Sequence, residues 1–253
     1  MTPTTINISD EGLRFLEANK PLVKGLSYEI VKSARETSTA EAVSDNAWTI
    51  EGVNYRGQIV PVNLSRKLLP AMNLSQMSAH AKKAMKKGEP YAANAQLVYA
   101  IAKRAMEQGN RDVQKFMREA IFNQLPNTLS VVRYAPEGRI DTIVHNPGLS
   151  NKYSTKVDFV ASDELVRGSK RRNDYKALLG TDNPDEVADV FGWVTEKDTY
   201  SWRVNSKPSS VDERVVGLYA GSSRFCLDCG GDPRDAGASF GVRFSQKILR
   251  QKS

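Results

Sequence analysis

Apolar residues recur at intervals of three or four through residues 75–123, as they do along one face of an α-helix. Gly88 and Gly109 follow the first and second of these apolar stripes, and Pro126 follows the third. Glycine commonly ends a helix, and proline cannot continue one. The pattern therefore predicts three consecutive helices, the first capped by Ser75, that are joined by short turns and pack together.

The hydrophobic period shortens on both sides of this helical block. Residues 48–62 are rich in β-branched and aromatic side chains and contain Gly52 and Gly57, which predicts a hairpin or two short strands. Further β segments are predicted at residues 129–134, 139–144, 156–160, 200–205, 215–219, 224–227 and 239–245. Further helices are predicted from Ser9, from Pro21, from Ser162 to Leu179, and from Asn183 to Phe191.

Together these elements predict an α+β fold. Residues 1–125 are expected to form an N-terminal helical cluster with a small sheet, and residues 126–253 a mostly antiparallel β region. The best domain boundary lies near Pro126, and one single domain is the alternative.

The overall composition is that of a globular protein. Of the 253 residues, 40% are hydrophobic and 26% are charged, which argues against disorder of the whole chain. No stretch approaches the roughly 18 apolar residues of a membrane-spanning helix, and residues 1–9 do not resemble a secretory signal. We therefore expect a cytoplasmic protein, with a virion as the alternative location.

Positive charge is concentrated in one part of the chain. The net charge of +7 equals the excess carried by residues 61–125, which contain eleven Lys and Arg against four Asp and Glu. The basic side chains singled out on the predicted helices are Lys82, Lys83, Lys86, Lys87, Lys103 and Arg104. Lysines four residues apart share a helix face, and such a surface attracts the phosphates of nucleic acid. An anionic membrane surface and a simply solvated helix are the alternatives, and base stacking is not predicted because no aromatic residues interleave with the lysines.

The two cysteines form a single Cys-x-x-Cys motif, Cys226 to Cys229. Half of a zinc ribbon has this spacing, so zinc is a candidate cofactor and both cysteines are candidate metal ligands. A redox pair is a second interpretation, and two ordinary small residues in a strand are the third. In a strand, Cys226 and Asp228 would share one face and Cys229 would lie on the other.

Carboxylates near a lysine suggest a different chemistry. Asp174 and Lys176 have the Asp-x-Lys spacing of metal-dependent nucleases, with Asp158 and Asp163 upstream. Asp158 belongs to an apolar predicted strand, where an inward carboxylate would be functional. The Asp-x-Lys triplet itself falls in a predicted helix rather than a strand, which weighs against a nuclease.

The C-terminal region has an ordered set of small and basic residues. Gly221 and Ser222 precede a strand that bears Arg224, Pro233 lies in the following turn, and residues 241–243 read Gly-Val-Arg. This order, within residues 190–247, resembles the closing stretch of C-type-lectin-like domains of the formylglycine-generating and variable-protein type. The resemblance implies a variable loop at residues 228–237 that displays side chains from a rigid sheet to a partner.

These patterns lead to three functional hypotheses. The first is a non-enzymatic binding protein whose C-terminal surface contacts a protein or glycan through Arg224, Asp228, Asp232, Arg234 and Asp235. The second is a basic nucleic-acid-binding accessory protein of viral or mobile-element type, and the third is a metal-dependent nuclease. Enzyme chemistry ranks lower because the sequence contains no common phosphate-binding glycine loop or hydrolase motif.

Overall fold

Two units make up the chain, Met1–Val43 and Ser44–Ser253. The computed structural model describes residues 4–5, 28–29, 46–136, 140–158, 163–204 and 208–245. In the first unit, the described residues form two short parallel strands, β1 (Thr4–Thr5) and β2 (Tyr28–Glu29). The helix predicted from Pro21 is therefore wrong at Tyr28 and Glu29, because these residues pair with β1 instead of continuing a helix. The helix predicted from Ser9 lies outside the described residues.

The second unit contains five helices and thirteen strands among its described residues. The helices are α1 (Leu74–Lys87), α2 (Ala95–Glu107), α3 (Arg111–Gln124), α4 (Arg172–Leu179) and α5 (Pro184–Thr195). The strands are β3 (Ala47–Tyr55), β4 (Gln58–Ser65), β5 (Leu69–Met72), β6 (Tyr91–Ala92), β7 (Asn127–Tyr134), β8 (Asp141–His145), β9 (Tyr153–Val157), β10 (Glu164–Leu165), β11 (Asp198–Trp202), β12 (Asp212–Ala220), β13 (Arg224–Gly231), β14 (Gly237–Ser239) and β15 (Gly241–Phe244). The predicted α+β class is confirmed.

Helices α1, α2 and α3 are the three helices that the apolar stripes predict. Each begins at an asparagine whose side chain accepts a hydrogen bond from the first turn: Asn73, Asn94 and Asn110. The predicted cap Ser75 is wrong because Asn73 and Gln76 form a reciprocal capping box, with N···O distances of 2.9 and 3.0 Å.

Pairing in the sheets joins distant parts of the sequence. The larger sheet has the order β10-β11-β13-β12-β7-β8-β9, and its neighbouring strands are antiparallel except β11 and β13. A second sheet has the order β3-β4-β15-β6, and β14 pairs with β5. Because β15 lies between β4 and β6, the C-terminal part of the chain completes a sheet begun before Pro126. Pro126 thus lies within the unit Ser44–Ser253 rather than between two domains.

A continuous hydrophobic core connects the helices to both sheets. Helix α5 packs on β13, where the rings of Phe191 and Phe225 stack with centroids 4.7 Å apart. Helix α2 packs on β3, and the Phe116 ring of α3 contacts the Trp48 ring of β3 with centroids 5.1 Å apart. Phe191 and Phe225 are fully buried, and burying a ring of this size stabilises the fold by about 1.5–3 kcal/mol, so α5 is held firmly on the sheet.

The helix predicted from Ser162 to Leu179 is wrong in its first half. Glu164 and Leu165 form β10 and pair with β11, and α4 begins only at Arg172. Gly168 has a φ of +74°, a left-handed conformation that interrupts a helix. None of the helices in the described ranges is long and apolar enough to cross a membrane.

Candidate functional site

The hairpin of β3 and β4 closes with a two-residue turn, Arg56-Gly57. Tyr55 pairs with Gln58 across it, and φ is +55° at Arg56 and +74° at Gly57. Two positive φ angles are typical of a type I′ turn, whose first position asparagine, aspartate or glycine normally occupies. An arginine therefore stands at the hairpin tip in a conformation that asparagine adopts more readily.

Helix α1 ends in a Schellman motif built on Gly88. Gly88 has a φ of +68°, and the backbone N–H of Glu89 donates to the carbonyl oxygen of Ala84 at 2.9 Å. The motif fixes the last helical turn, which carries Lys86 and Lys87 at the negative end of the helix dipole.

Strand β15 brings the C-terminal part of the chain to the same place. Phe244 pairs with Val62 of β4, and Nη1 of Arg243 donates to the carbonyl oxygen of Gly88 at 3.3 Å. The ring centroid of Phe244 lies 5.8 Å from that of Tyr55, with the two rings tilted by 32°. An arginine and an aromatic pair thus meet the end of helix α1.

These three elements line an open cavity of about 600 Å³, which we call the aromatic cavity. Its defining residues are Tyr55, Arg56, Lys86, Lys87, Arg243 and Phe244. Four cations line the cavity against one acid, Glu89. Its volume lies within the range of small-molecule sites, about 300–1,000 Å³, and the combination of rings and cations suits an aromatic anion.

The lysines of α1 are available to an external anion. Lys82, Lys83 and Lys86 are exposed, and within the described ranges none of them forms an ion pair. Lys87 lies 3.9 Å from Glu89, but both side chains are more than half exposed, so this pair is weak.

Lys103 and Arg104 are engaged with acidic side chains. Nζ of Lys103 lies 2.8 Å from a carboxylate oxygen of Glu186, and Nη1 of Arg104 lies 3.1 Å from one of Glu107. Nε of Arg104 also donates to the backbone carbonyl of Glu51 at 2.8 Å. The six basic residues that the sequence groups together therefore differ in how much of their charge is already balanced.

A second, smaller cavity adjoins the first. This polar cavity of about 320 Å³ is defined by Asn54, Arg56, Gln96, Lys103, Arg104 and Glu186. Arg56 lines both cavities, so the hairpin tip separates two neighbouring recesses. Lys86 and Lys87 lie on one recess, and Lys103 and Arg104 on the other.

A buried histidine lies near the hairpin tip. Nδ1 of His145 accepts from the hydroxyl of Ser130 at 2.7 Å, and Nε2 donates to the carbonyl oxygen of Ala177 at 2.9 Å. Because the Ala177 carbonyl can only accept, Nε2 carries the ring proton and Nδ1 accepts from Ser130, whose oxygen in turn accepts from the backbone N–H of Ala95 at 2.9 Å. Burial lowers the pKa of His145 to about 4, so the imidazole is neutral near pH 7. This enclosed serine–histidine pair stabilises the fold and is closed to substrate.

Tyr153 connects this buried histidine with the hairpin tip. Its ring centroid lies 4.8 Å from that of His145, and the guanidinium of Arg56 lies 4.0 Å from the Tyr153 ring centroid. The hydroxyls of Tyr153 and Tyr55 are 3.4 Å apart. Arg56 is therefore held over an aromatic ring that is itself anchored in the core.

The predicted C-terminal binding residues fall into two groups. Arg224 and Asp228 lie in β13, whereas Asp232, Arg234 and Asp235 lie in the turn after it. A strand rises about 3.3 Å per residue, so Arg224 and Asp232 are roughly 25 Å apart and cannot form one small contact. The predicted variable loop also begins later than expected, because Asp228 pairs with Trp202 of β11.

Ion pairs within the chain engage several of these residues. Arg224 lies 3.1 Å from Asp163, and Arg234 lies 2.6 Å from Asp232. The guanidinium and the backbone N–H of Arg234 both donate to Asp232, which holds the pKa of that carboxyl well below its usual range.

One face of β11, β12 and β13 carries two exposed aromatic side chains, Trp202 and Tyr219, and the half-buried Tyr200. Tyr200 and Tyr219 are both cross-strand neighbours of Cys226, and Trp202 is the neighbour of Asp228. Trp202 is 37% exposed and Tyr219 is 44% exposed. We call Tyr200, Trp202 and Tyr219 the outer-face patch. The guanidinium of Arg224 lies over the Tyr200 ring of this patch, 5.1 Å from the ring centroid.

Both cysteines are buried thiols in β13. Strand geometry puts Cys226 on the outer face with Asp228 and puts Cys229 on the opposite face, as the sequence predicts. Burial raises the pKa of both thiols. No cluster of three or more histidine, cysteine, aspartate or glutamate side chains that could hold a metal lies within the described ranges. Zinc at these cysteines stays a prediction.

The residues of the nuclease hypothesis are partly brought together. Asp158, Asp174 and Lys176 line a cavity of about 560 Å³ between β9 and α4. Burial raises the pKa of Asp174 to about 6, against the opposing effect of Arg171, whose Nη1 lies 3.5 Å away. Asp158 follows the end of β9 and is exposed rather than inward-facing. Asp163 pairs with Arg224 instead.

Sequence reasoning missed Tyr55, Arg56, Arg243 and Phe244 as parts of one site. A local signal existed for Arg56: a positively charged side chain precedes Gly57 in a predicted hairpin turn, at a position that asparagine or glycine normally occupies. The other three become neighbours only through the pairing of β15 with β4, for which the sequence offers no local signal. Comparison with protein-family models, with curated proteins and with solved structures finds no match to this chain.

Proposed function

We propose that this protein binds nucleic acid through the rim of the aromatic cavity and the adjoining lysines of α1. The observation that carries the proposal is the convergence of Arg56, Lys86, Lys87 and Arg243 from three separate elements around one cavity. Cations placed together in this way replace condensed counterions on a phosphate backbone, and their release favours binding.

The surface extends beyond the cavity along the same helix. Lys82 and Lys86 are four residues apart, as are Lys83 and Lys87, so each pair shares one side of α1. The exposed lysines therefore continue the positive charge of the cavity rim over more than one helical turn. A strand of several nucleotides is long enough to contact both.

Salt dependence of oligonucleotide binding tests the proposal. If about four phosphates are neutralised, the logarithm of the binding constant for a single strand should fall with log salt at a slope of about −3. The Lys86→Gln variant should weaken binding and make this slope shallower by about 0.7, the share of one phosphate contact on a single strand. Fluorescence anisotropy of a labelled oligonucleotide of mixed sequence measures both quantities.

Lys115→Gln is the matched control for this experiment. Lys115 is an exposed lysine of α3 that lines neither cavity, so its loss removes the same charge from a different surface. Equal effects of the two variants, or no binding at low salt, would contradict the proposal. Binding to anionic lipid vesicles without binding to oligonucleotides would contradict it as well and would favour a membrane surface.

The outer-face patch favours a second candidate function. We propose it as a display surface for a protein or glycan partner, which uses Arg224 and Asp228 beside the exposed Trp202 and Tyr219. Aromatic side chains with nearby polar groups are enriched in interaction surfaces. A glycan array and a pull-down, each repeated with Trp202→Ala, test this function. Binding that this substitution leaves unchanged would exclude the patch.

A further inference from the structure

The aromatic cavity differs from an ordinary cationic surface because three aromatic rings contribute to its lining. Tyr55 and Phe244 are half-buried, and their ring centroids are 5.8 Å apart. Tyr91 also lines the cavity and is buried behind it. The rings belong to β3, β15 and β6, so their positions are set by one sheet rather than by a mobile loop.

We infer that the aromatic cavity holds the base of an unpaired nucleotide, which stacks on Tyr55 and Phe244 while the rim cations contact its phosphate. The inference rests on the proposed function and specifies the form of the nucleic acid. In a duplex, each base face is covered by its neighbours, so a ring pair recessed in a cavity can stack on a base only when that base is unstacked.

Arg56 places a cation between this cavity and the next. It lines both the aromatic cavity and the polar cavity, and its guanidinium is held 4.0 Å above the ring of Tyr153. A strand that leaves the aromatic cavity past Arg56 meets the amide side chains of Asn54 and Gln96, which can hydrogen-bond to a base or sugar. The structure thus offers two adjacent nucleotide positions with a phosphate contact between them.

Competition among three nucleic-acid probes tests this inference. The probes are a short single strand, a blunt hairpin duplex with the same number of phosphates, and the single strand with abasic sites in place of its central bases. The intact single strand should bind at least about tenfold more tightly than either of the other two, because base stacking contributes roughly 5- to 150-fold per base. A nucleoside monophosphate should compete only weakly, because it makes one phosphate contact.

Ring substitutions link this preference to the cavity. Tyr55→Phe keeps the ring and should retain the preference, whereas Tyr55→Leu and Phe244→Leu should each reduce it. Tyr219→Leu removes an exposed ring from the outer-face patch and should leave the preference unchanged. Circular dichroism and thermal unfolding establish that each variant is folded before it is compared.

The outcomes separate this inference from the proposed function. Equal affinity for the single strand and the duplex, both with steep salt dependence, would overturn the inference and leave nucleic-acid binding in place. Tight binding of the free monophosphate, with no gain from a longer strand, would overturn both and indicate a nucleotide-binding protein. Failure of all probes to bind would likewise overturn both.

Discussion

At the scale of single residues, Arg56 shows a conflict between local backbone preference and a surface role. Its φ of +55° is a conformation that asparagine or glycine adopts at lower cost. Left-handed conformations of non-glycine residues cost of the order of 1–3 kcal/mol and persist where the surrounding structure enforces them. The stacking of Arg56 on Tyr153 offsets part of this cost and directs the charge towards both cavities.

The Arg56→Asn variant should separate these two effects. The free energy of unfolding should change by less than about 1 kcal/mol, because relief of the backbone strain offsets the lost contact with Tyr153. Oligonucleotide affinity should fall, and the salt slope for a single strand should become shallower by about 0.7. Urea denaturation and anisotropy measure the two quantities. A loss of several kcal/mol of stability with unchanged affinity would make Arg56 a structural residue.

Asp174 should make the stability of the protein depend on pH. Burial raises its pKa from 3.8 to about 6, so between these values the folded protein binds a proton that the unfolded chain has released. Stability from this group is therefore greatest at low pH and is lost as pH rises from about 4 to 6. The loss should be about 1–3 kcal/mol.

A comparison with Asp174→Asn isolates this contribution. The pKa of His145 is lowered to about 4 by burial, so its contribution changes in the opposite direction, falling as pH drops from about 6.5 to 4. Because the two windows overlap, the difference in unfolding free energy between wild type and variant is the quantity to follow. That difference should shift in favour of the variant as pH rises from about 4 to 6, and a flat difference would show that Asp174 titrates normally.

At the scale of elements, local sequence predicts the helices better than the strands that complete the sheets. Helices α1 to α3 follow from the spacing of their apolar residues and from Gly88, Gly109 and Pro126 at their ends, which are local signals, although the predicted cap of α1 is wrong. The first half of the helix predicted from Ser162 fails because β10 pairs with β11, a tertiary interaction that outweighs helical spacing. The lysines of α1 are predictable because their spacing along a helix is local. Phe244 lies near them only because β15 pairs with β4, which no local pattern indicates.

Strand β13 provides a test of the cysteine interpretation at this scale. Cys226 is 5% exposed, Cys229 is fully buried, and burial raises the pKa of both thiols. Neither thiol should react with Ellman's reagent in the folded protein, and both should react in denaturant, because reactivity requires an accessible thiolate. Rapid reaction of Cys229 in the folded protein would contradict its position. Reaction that begins only after a chelator is added would indicate that zinc protects the pair.

At the scale of the whole molecule, the site depends on three elements that are distant in sequence. The hairpin tip, the end of α1 and β15 meet because β15 is inserted between β4 and β6. The proposed partner therefore follows less from the net charge of +7 than from the position of four cationic side chains around one aromatic pair. The same fold holds the outer-face patch on a different sheet, so the two candidate functions predict contacts with different residues.

Photo-crosslinking of an oligonucleotide that carries a photoreactive thymidine analogue, followed by mass-spectrometric mapping, tests the central claim most directly. If unpaired nucleotides occupy the aromatic cavity, the cross-linked peptides should contain Tyr55 or Phe244, and competing unlabelled single strand should remove them. Cross-links confined to peptides that contain Trp202 and Tyr219, or spread evenly over the basic surface, would contradict the account.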